Sequence, residues 1–310
     1  MSELRDAVND YLVLRRSLGF KLRAHEPLLA GFVSYLQREG LDTVTTRAAL
    51  SWATAPAAAG PSWWHQRLAV VRGFAEYLRV FDQCCEVPPK HLLPRPTGRR
   101  SPWLLSGEDV AALMGAARRL VPQLRAATYE TAIGLLTVTG MRPGEVLRLD
   151  RRDVDLSALL IRVEASKSGK SRQVPIHPST VDALGVYAQR RDELCPQPQS
   201  PSFFVSRAGR RVAHATLDKT FARLVSDTGL DSNLLPGQRR PRAHDLRHSF
   251  AVRTLISFYE DGGDIEERVP ALSTFLGHAN PAATYWYLSA SSELLALASG
   301  RVDQGTGVKS

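Results

Sequence analysis

Residues 139–149 read TGMRPGEVLRL. Gly140 is a helix-ending glycine, and Pro143 suits the first turn of a new helix. Arg142 stands between them. Taken alone it has an ordinary explanation: it pairs with Glu145 three residues on, or caps a carbonyl. The stretch predicts a helix junction that fixes one arginine in place, and what that arginine faces depends on the rest of the chain.

On either side the pattern is mainly helical. Ser106 and Asp109 have capping-box spacing, which starts a helix running to about Leu120. Another runs from Gln123 to Val138. Residues 159–165 (LLIRVEA) and 172–177 (RQVPIH) read as two strands joined by a Lys/Gly/Ser turn. Helices return at about 179–194, 215–228, 244–260, 265–276 and 291–299. The first 82 residues carry four amphipathic helices with short joins, a small bundle. Ser2 can cap the first, Pro27 lies in the first turn of the second, the third covers Thr46–Thr54, and the fourth follows Pro61. Residues 86–102, EVPPKHLLPRPTGRRSP, are too rich in proline to continue a helix and read as an extended linker. Its basic residues also suit a strap along a phosphate backbone. No internal repeat is visible.

Bulk properties agree with a two-domain globular chain. The 310 residues are 44% apolar and 23% charged, with no apolar run of membrane-spanning length. The N-terminus lacks the apolar core of a signal peptide, so a cytoplasmic location is expected. Cys84, Cys85 and Cys195 show neither zinc nor redox spacing and are expected as reduced thiols. A net charge of +9 and a pI near 9.8 favour polyanionic partners, nucleic acid first and an acidic membrane surface second.

Further polar groups follow Arg142 in order. Lys167 lies in SKSGK at the tip of the expected hairpin. His244 and Arg247 lie in HDLRH, one helical turn apart and so on one face. His278 follows Gly277 in LGH, and Tyr287 comes nine residues later in a segment that also holds Tyr285 and Trp286. Singly, each could be a solvated lysine, a helix start, a helix end or a packed aromatic. Together, TGMRPGEVLRL (139–149), SKSGKSRQVPI (166–176), HDLRHSFA (244–251) and LGHANPAATYWY (276–287) resemble the tyrosine recombinase, or phage integrase, family. The resemblance spans most of residues 102–298, and the helical bundle matches the family's core-binding domain in position and type.

The resemblance implies a mainly α fold with a small β-hairpin or sheet. A core-binding bundle (1–85) and the Pro/basic linker (86–102) would precede an α+β catalytic domain (103–298) and a flexible tail (299–310). It implies a site-specific DNA recombinase of integrase or transposase type, cleaving and rejoining strands through a 3′-phosphotyrosine without metal, cofactor or ATP. Arg142 and Arg247 would hold the scissile phosphate, since a planar, permanently charged fork can bind two non-bridging oxygens at once. His244 and His278 would hydrogen-bond that phosphate and help manage the tyrosine proton. Lys167 would protonate the leaving 5′-oxygen, and Glu145 would hold the architecture, with His248 in support. Two residues apart on a helix, Tyr285 and Tyr287 project about 200° from each other, so only one fits the pocket. The family's spacing after the LGH histidine selects Tyr287, leaving Tyr285 and Trp286 to packing or positioning.

The implied partner is a double-stranded recombination site bound by a homotetramer in synapsis, alone or with related recombinases, and no membrane. The stretch FYEDGGDIEERVPAL, within residues 258–272, is longer than the family's usual connection and resembles the transposon-borne branch. The amphipathic segment 291–299 would dock on a neighbouring subunit or on its own domain. Two rivals share much of this reading: a type IB-like topoisomerase, and a DNA-binding accessory protein that does not cut.

Overall fold

A computed structural model of the chain describes residues 3–94, 102–164, 171–234 and 238–289, without 23, 58, 263, 279 and 281, together with Leu294. The chain divides into two compact units, Met1–Arg100 and Ser101–Ser310. Among the described residues no helix is long and apolar enough to cross a membrane.

The first unit holds α1 (Glu3–Ser17), α2 (His25–Arg38), α3 (Thr46–Thr54) and α4 (Pro61–Leu78). Their apolar faces meet in one core around Leu29, Phe32, Leu36, Leu68, Val71 and Phe74. The Thr45 side chain caps α3 by accepting from the Ala48 N–H, and Pro61 opens α4 where its missing N–H costs nothing. Of the stretch expected as an extended linker, residues 86–94 lie against this bundle. The Glu86 N–H donates to the Val44 carbonyl at 2.8 Å, and Arg72 donates to the Pro88 and Pro89 carbonyls at 2.7 and 2.9 Å. Leu93 and Cys85 join the core. Residues 95–101 fall outside the described part.

The second unit opens with α5 (Gly107–Arg118), capped reciprocally by Ser106 and Asp109, and α6 (Gln123–Thr139), whose buried faces form the middle of a large core. After the short α7 (Pro143–Val146) comes an antiparallel sheet in the order β1 (Val154–Asp155), β2 (Leu160–Val163), β3 (Arg172–Pro175). Its register pairs Ile161 with Val174 and brings both into the core. The sequence predicts β2 and β3 but not β1, whose two residues are too few to carry an alternating pattern.

Helices α8 (Pro178–Leu194), α9 (His214–Asp227), α10 (Ala243–Glu260) and α11 (Ile265–Leu276) follow, then α12 (Ala282–Tyr285) and a 3-10 turn over Trp286–Ser289. The long connection 258–272 is absorbed by the end of α10 and the start of α11. Two of its five acids serve that junction: Asp264 caps α11 by accepting from the Glu266 and Glu267 N–H groups, and Asp261 lies 3.6 Å from Arg268. A third apolar cluster joins α10 and α11 to the ring of Tyr287 and to Leu294. The rest of the expected helix at 291–299, and the tail beyond it, lie outside the described residues.

Candidate active site

The junction quoted first sets the geometry. α6 ends at Gly140 with φ +58°, a backbone conformation that a side chain disfavours. A Cβ there would run into the Phe250 ring of α10 and come 3.0 Å from Leu276 of α11, so the glycine lets three helix segments converge. Arg142 then leads into α7. Its Nη1 donates to Glu145 Oε1 at 2.8 Å and its Nη2 to the Gly277 carbonyl at 2.8 Å.

Glu145 is 1% exposed, and a buried carboxylate must be paired. It is paired twice. Besides Arg142, Arg172 at the start of β3 donates through Nη2 to Oε2 at 2.8 Å and through Nη1 to Oε1 at 3.3 Å. Burial alone would raise the carboxyl pKa; the hydrogen bonds and charge of Arg172, joined by Arg142, outweigh it and hold the group at about 2.

Arg247, in the first turns of α10, is fully buried. Its Nη1 donates to the Gly140 carbonyl and its Nη2 to the Leu276 carbonyl, both at 2.8 Å. Burial and the neighbouring charge of Arg142 lower its pKa to about 10, which still leaves it charged at neutral pH. A pattern emerges at the C-terminus of α11, whose last carbonyls have no partner within the helix. The carbonyls of Phe275, Leu276 and Gly277 accept from Arg172 Nε, Arg247 Nη2 and Arg142 Nη2 respectively, each at 2.8 Å. Three guanidiniums thus gather at the negative end of one helix dipole.

The histidines line the other side. His244 and His248 share a face of α10, with ring centroids 4.8 Å apart. His248 Nδ1 and the Tyr287 hydroxyl share a hydrogen bond of 3.0 Å. His278 Nδ1 is bonded to Thr284 Oγ1 at 2.7 Å, and its ring stacks on that of Tyr287 with centroids 6.1 Å apart. His244 opens onto a cavity of about 660 Å³ lined also by Pro143, His214, Arg240 and Arg242. Desolvation first, then the charges of Arg247 and Arg142, lowers the His244 pKa to about 4. Part of His244 remains exposed, which tempers the desolvation. His248 is lowered to about 4 chiefly by burial.

The two tyrosines separate as the helical projection predicts. Tyr287 is 3% exposed and faces His248, whereas Tyr285 is 45% exposed. Of the two roles expected of Tyr285, packing or positioning, its exposure rules out packing; Trp286 packs, with its ring 5.8 Å from that of His248. The structure brings together Arg142, Glu145, His244, Arg247, His248, His278 and Tyr287. Lys167 lies in 165–170, outside the described residues. Two contributors escape the sequence reading. Arg172 is one basic residue among several in SKSGKSRQVPI, and only its place at the first residue of β3 singles it out. Asp245, fully buried and clasped by Arg239 and by the Arg242 N–H at 2.8 Å, fixes the start of α10.

Comparisons with known proteins point one way. The profile described as "Phage integrase family" matches residues 104–293. A proposed integrase/recombinase of Sinorhizobium fredii, y4rB, is 41% identical over 310 residues, covering 98% of each chain. Tyrosine recombinase XerD of Halalkalibacterium halodurans is 30% identical over 223 residues, covering 71% of this chain and 68% of its own. Among solved structures, the Tn1549 transposon integrase in complex with transposon right end DNA superposes with a TM-score of 0.66. That match has 15% identity and covers 96% of this chain and 98% of the other, which shows a shared fold.

Proposed function

This chain belongs to the phage integrase family and is a tyrosine site-specific recombinase, and from that premise we propose that it exchanges DNA strands through a covalent 3′-phosphotyrosine at Tyr287. One observation carries the reading: three guanidiniums, Arg142, Arg172 and Arg247, face the single carboxylate of Glu145 beside the buried hydroxyl of Tyr287. Such an unbalanced positive cluster suits an anion that gains charge as it reacts.

Arg142 and Arg247 each give two of their five N–H donors to the protein, which leaves donors for the non-bridging oxygens of the scissile phosphate. The Tyr287 oxygen attacks phosphorus, the P–O5′ bond breaks, and its electron pair leaves on the 5′-oxygen. Lys167 supplies the proton to that oxygen. His248, neutral at pH 7 and bonded to the Tyr287 hydroxyl through Nδ1, orders the nucleophile and accepts its proton. This gives His248 a larger part than the supporting one expected from sequence. His244 and His278 donate to the phosphate. A second 5′-hydroxyl reverses the steps and reseals the strand, the bond energy having been kept in the phosphotyrosine. The substrate is a duplex recombination site, and four such cleavable strands call for a tetramer in synapsis.

The test is a nicked duplex that traps covalent intermediates, cut from DNA flanking the gene, incubated in EDTA with wild-type chain, Tyr287→Phe and Tyr285→Phe. The expected result is an SDS-stable adduct lost only in Tyr287→Phe. Binding of that DNA with no adduct in any of the three proteins would favour the accessory-binder reading instead.

A further inference from the structure

Arg172 touches no reacting atom in the steps above, yet it is among the most thoroughly fixed side chains of the unit. Its side chain is 11% exposed, it holds both oxygens of Glu145, and its Nε donates to the Phe275 carbonyl. Gly277, at φ +67°, leaves room for it: a Cβ there would lie 2.8 Å from Arg172 Nη1 and 3.0 Å from its Cζ. Backbone conformation, a buried carboxylate and a helix end therefore all converge on this guanidinium.

Its effect on Arg142 follows from the geometry of the carboxylate. Arg172 Nη2 takes Glu145 Oε2, an oxygen that the Arg142 backbone N–H also reaches at 3.1 Å. The Arg142 side chain is left with Oε1 alone, through Nη1, and its Nη2 turns to the Gly277 carbonyl. Without Arg172, both oxygens would be open to a bidentate closure by Arg142, the strongest pairing available to a guanidinium and a carboxylate. Arg142 would then leave Gly277 and become a neutralised partner of Glu145. We infer that Arg172 is a positioning residue: by occupying Glu145 it keeps the Arg142 fork turned toward the reacting phosphate and leaves its charge uncancelled. The inference rests on the reading that Arg142 binds that phosphate.

The experiment measures single-turnover adduct formation on the nicked duplex at saturating full-length protein, with DNA affinity determined separately. It compares wild type, Arg172→Lys, Arg172→Gln, Glu145→Gln and the double variant Glu145→Gln/Arg172→Gln. Arg172→Gln is expected to slow cleavage by roughly 10- to 100-fold, with affinity within about threefold of wild type. Lysine, a point charge without the fork, recovers only a minor part. The double variant should cleave faster than Arg172→Gln, because no bare carboxylate remains to capture Arg142. A simple salt bridge would instead give additive losses.

A parallel substrate with a bridging sulfur in place of the 5′-oxygen locates the defect, since a thiolate leaves without a proton. Arg172→Gln should stay slow on it. Recovery to the wild-type rate would place the role of Arg172 in the Lys167 hairpin and overturn the inference, as would additive losses or equal falls in rate and affinity. Should Arg172→Gln fail to fold, Arg172→Lys and the double variant decide alone: a double variant slower than Arg172→Lys by the full loss measured for Glu145→Gln overturns it. No adduct from the wild type would instead reject the proposed function itself.

Discussion

The interiors of the two units are built on different terms. Among the described residues, the core of the N-terminal bundle is apolar and aromatic apart from the Cys85 thiol, while every buried polar or charged side chain lies in the second unit. Burying a charge is costly unless it is paired, so the second unit carries a burden the first avoids. It carries it in two ways. Arg191, 1% exposed, donates to the Phe203 carbonyl and pairs with Asp192, a carboxylate at the surface that Arg151 also clasps. The Arg142–Glu145–Arg172–Arg247 cluster is unbalanced and leans on backbone carbonyls at the end of α11. Buried charge alone is thus an unreliable sign of a site; surplus charge gathered on a carboxylate that is itself buried, as Glu145 is and Asp192 is not, is the informative feature.

This contrast can be broken most forcefully at Glu145. Glu145→Gln leaves three guanidiniums around no anion, and should lower stability by about 3–5 kcal/mol, the usual range for removing one partner of a buried pair. Sulfate should restore more of that loss than it adds to the wild type, read as melting temperature against sulfate concentration. If sulfate shifts both proteins equally, the cluster has no affinity for an anion of this kind.

Next come two helix-ending glycines, one in each unit. Gly140→Ala meets both an unfavourable φ and the Phe250 ring, and should cost about 2–5 kcal/mol. Gly40→Ala has the same sign of φ, +67°, but nothing within 4 Å of the added carbon, so only the backbone penalty of about 1–2 kcal/mol applies. Urea denaturation of the two variants compares them; equal losses would mean the convergence at Gly140 yields easily.

Acid should act on the second unit in two windows. His244 and His248 have folded pKa values near 4 against 6.5 ordinarily, so the unfolded chain binds more protons between those limits. Stability is therefore full above pH 6.5 and falls as the pH drops toward 4. Glu145, at about 2 against 4.5, adds a second loss over that lower range. A melting temperature lower by about 5 °C at pH 5 than at pH 7 is expected, and His248→Asn should flatten the slope. The smallest effect belongs to Tyr285→Phe, half-exposed and away from His248: within about 0.5 kcal/mol in stability, by the rule for surface sites, and unchanged adduct formation.

Much of this was legible in the chain. Helical periodicity and end signals place α2, α3, α4 and α11 to within a residue or so, because Gly, Pro and Thr punctuate them. That Tyr285 and Tyr287 face apart follows from the angle between residues two apart on a helix, and the structure buries one and exposes the other; the angle does not say which of them reacts. What escaped has a physical reason in each case. Arg172 looks like its basic neighbours until β3 turns it inward. The carbonyls of 275–277 are backbone groups and leave no mark in side-chain chemistry. β1 is too short for a pattern, and residues 86–94 pack on the bundle through main-chain acceptors that a proline-rich composition conceals.

The arginines that meet the end of α11 bind its peptide carbonyls and so read where the helix stops, while Val269, Leu272 and Leu276 hold its apolar face against α10. That makes α11 modular. Whatever is grafted ahead of Asp264 alters only how the chain arrives at the helix, since its last turn is set from the other end by Gly277 and three guanidiniums. The acidic connection between α10 and α11 is therefore a place where length and composition can drift, or a tag be inserted, while the geometry of the arginine cluster stays as it is.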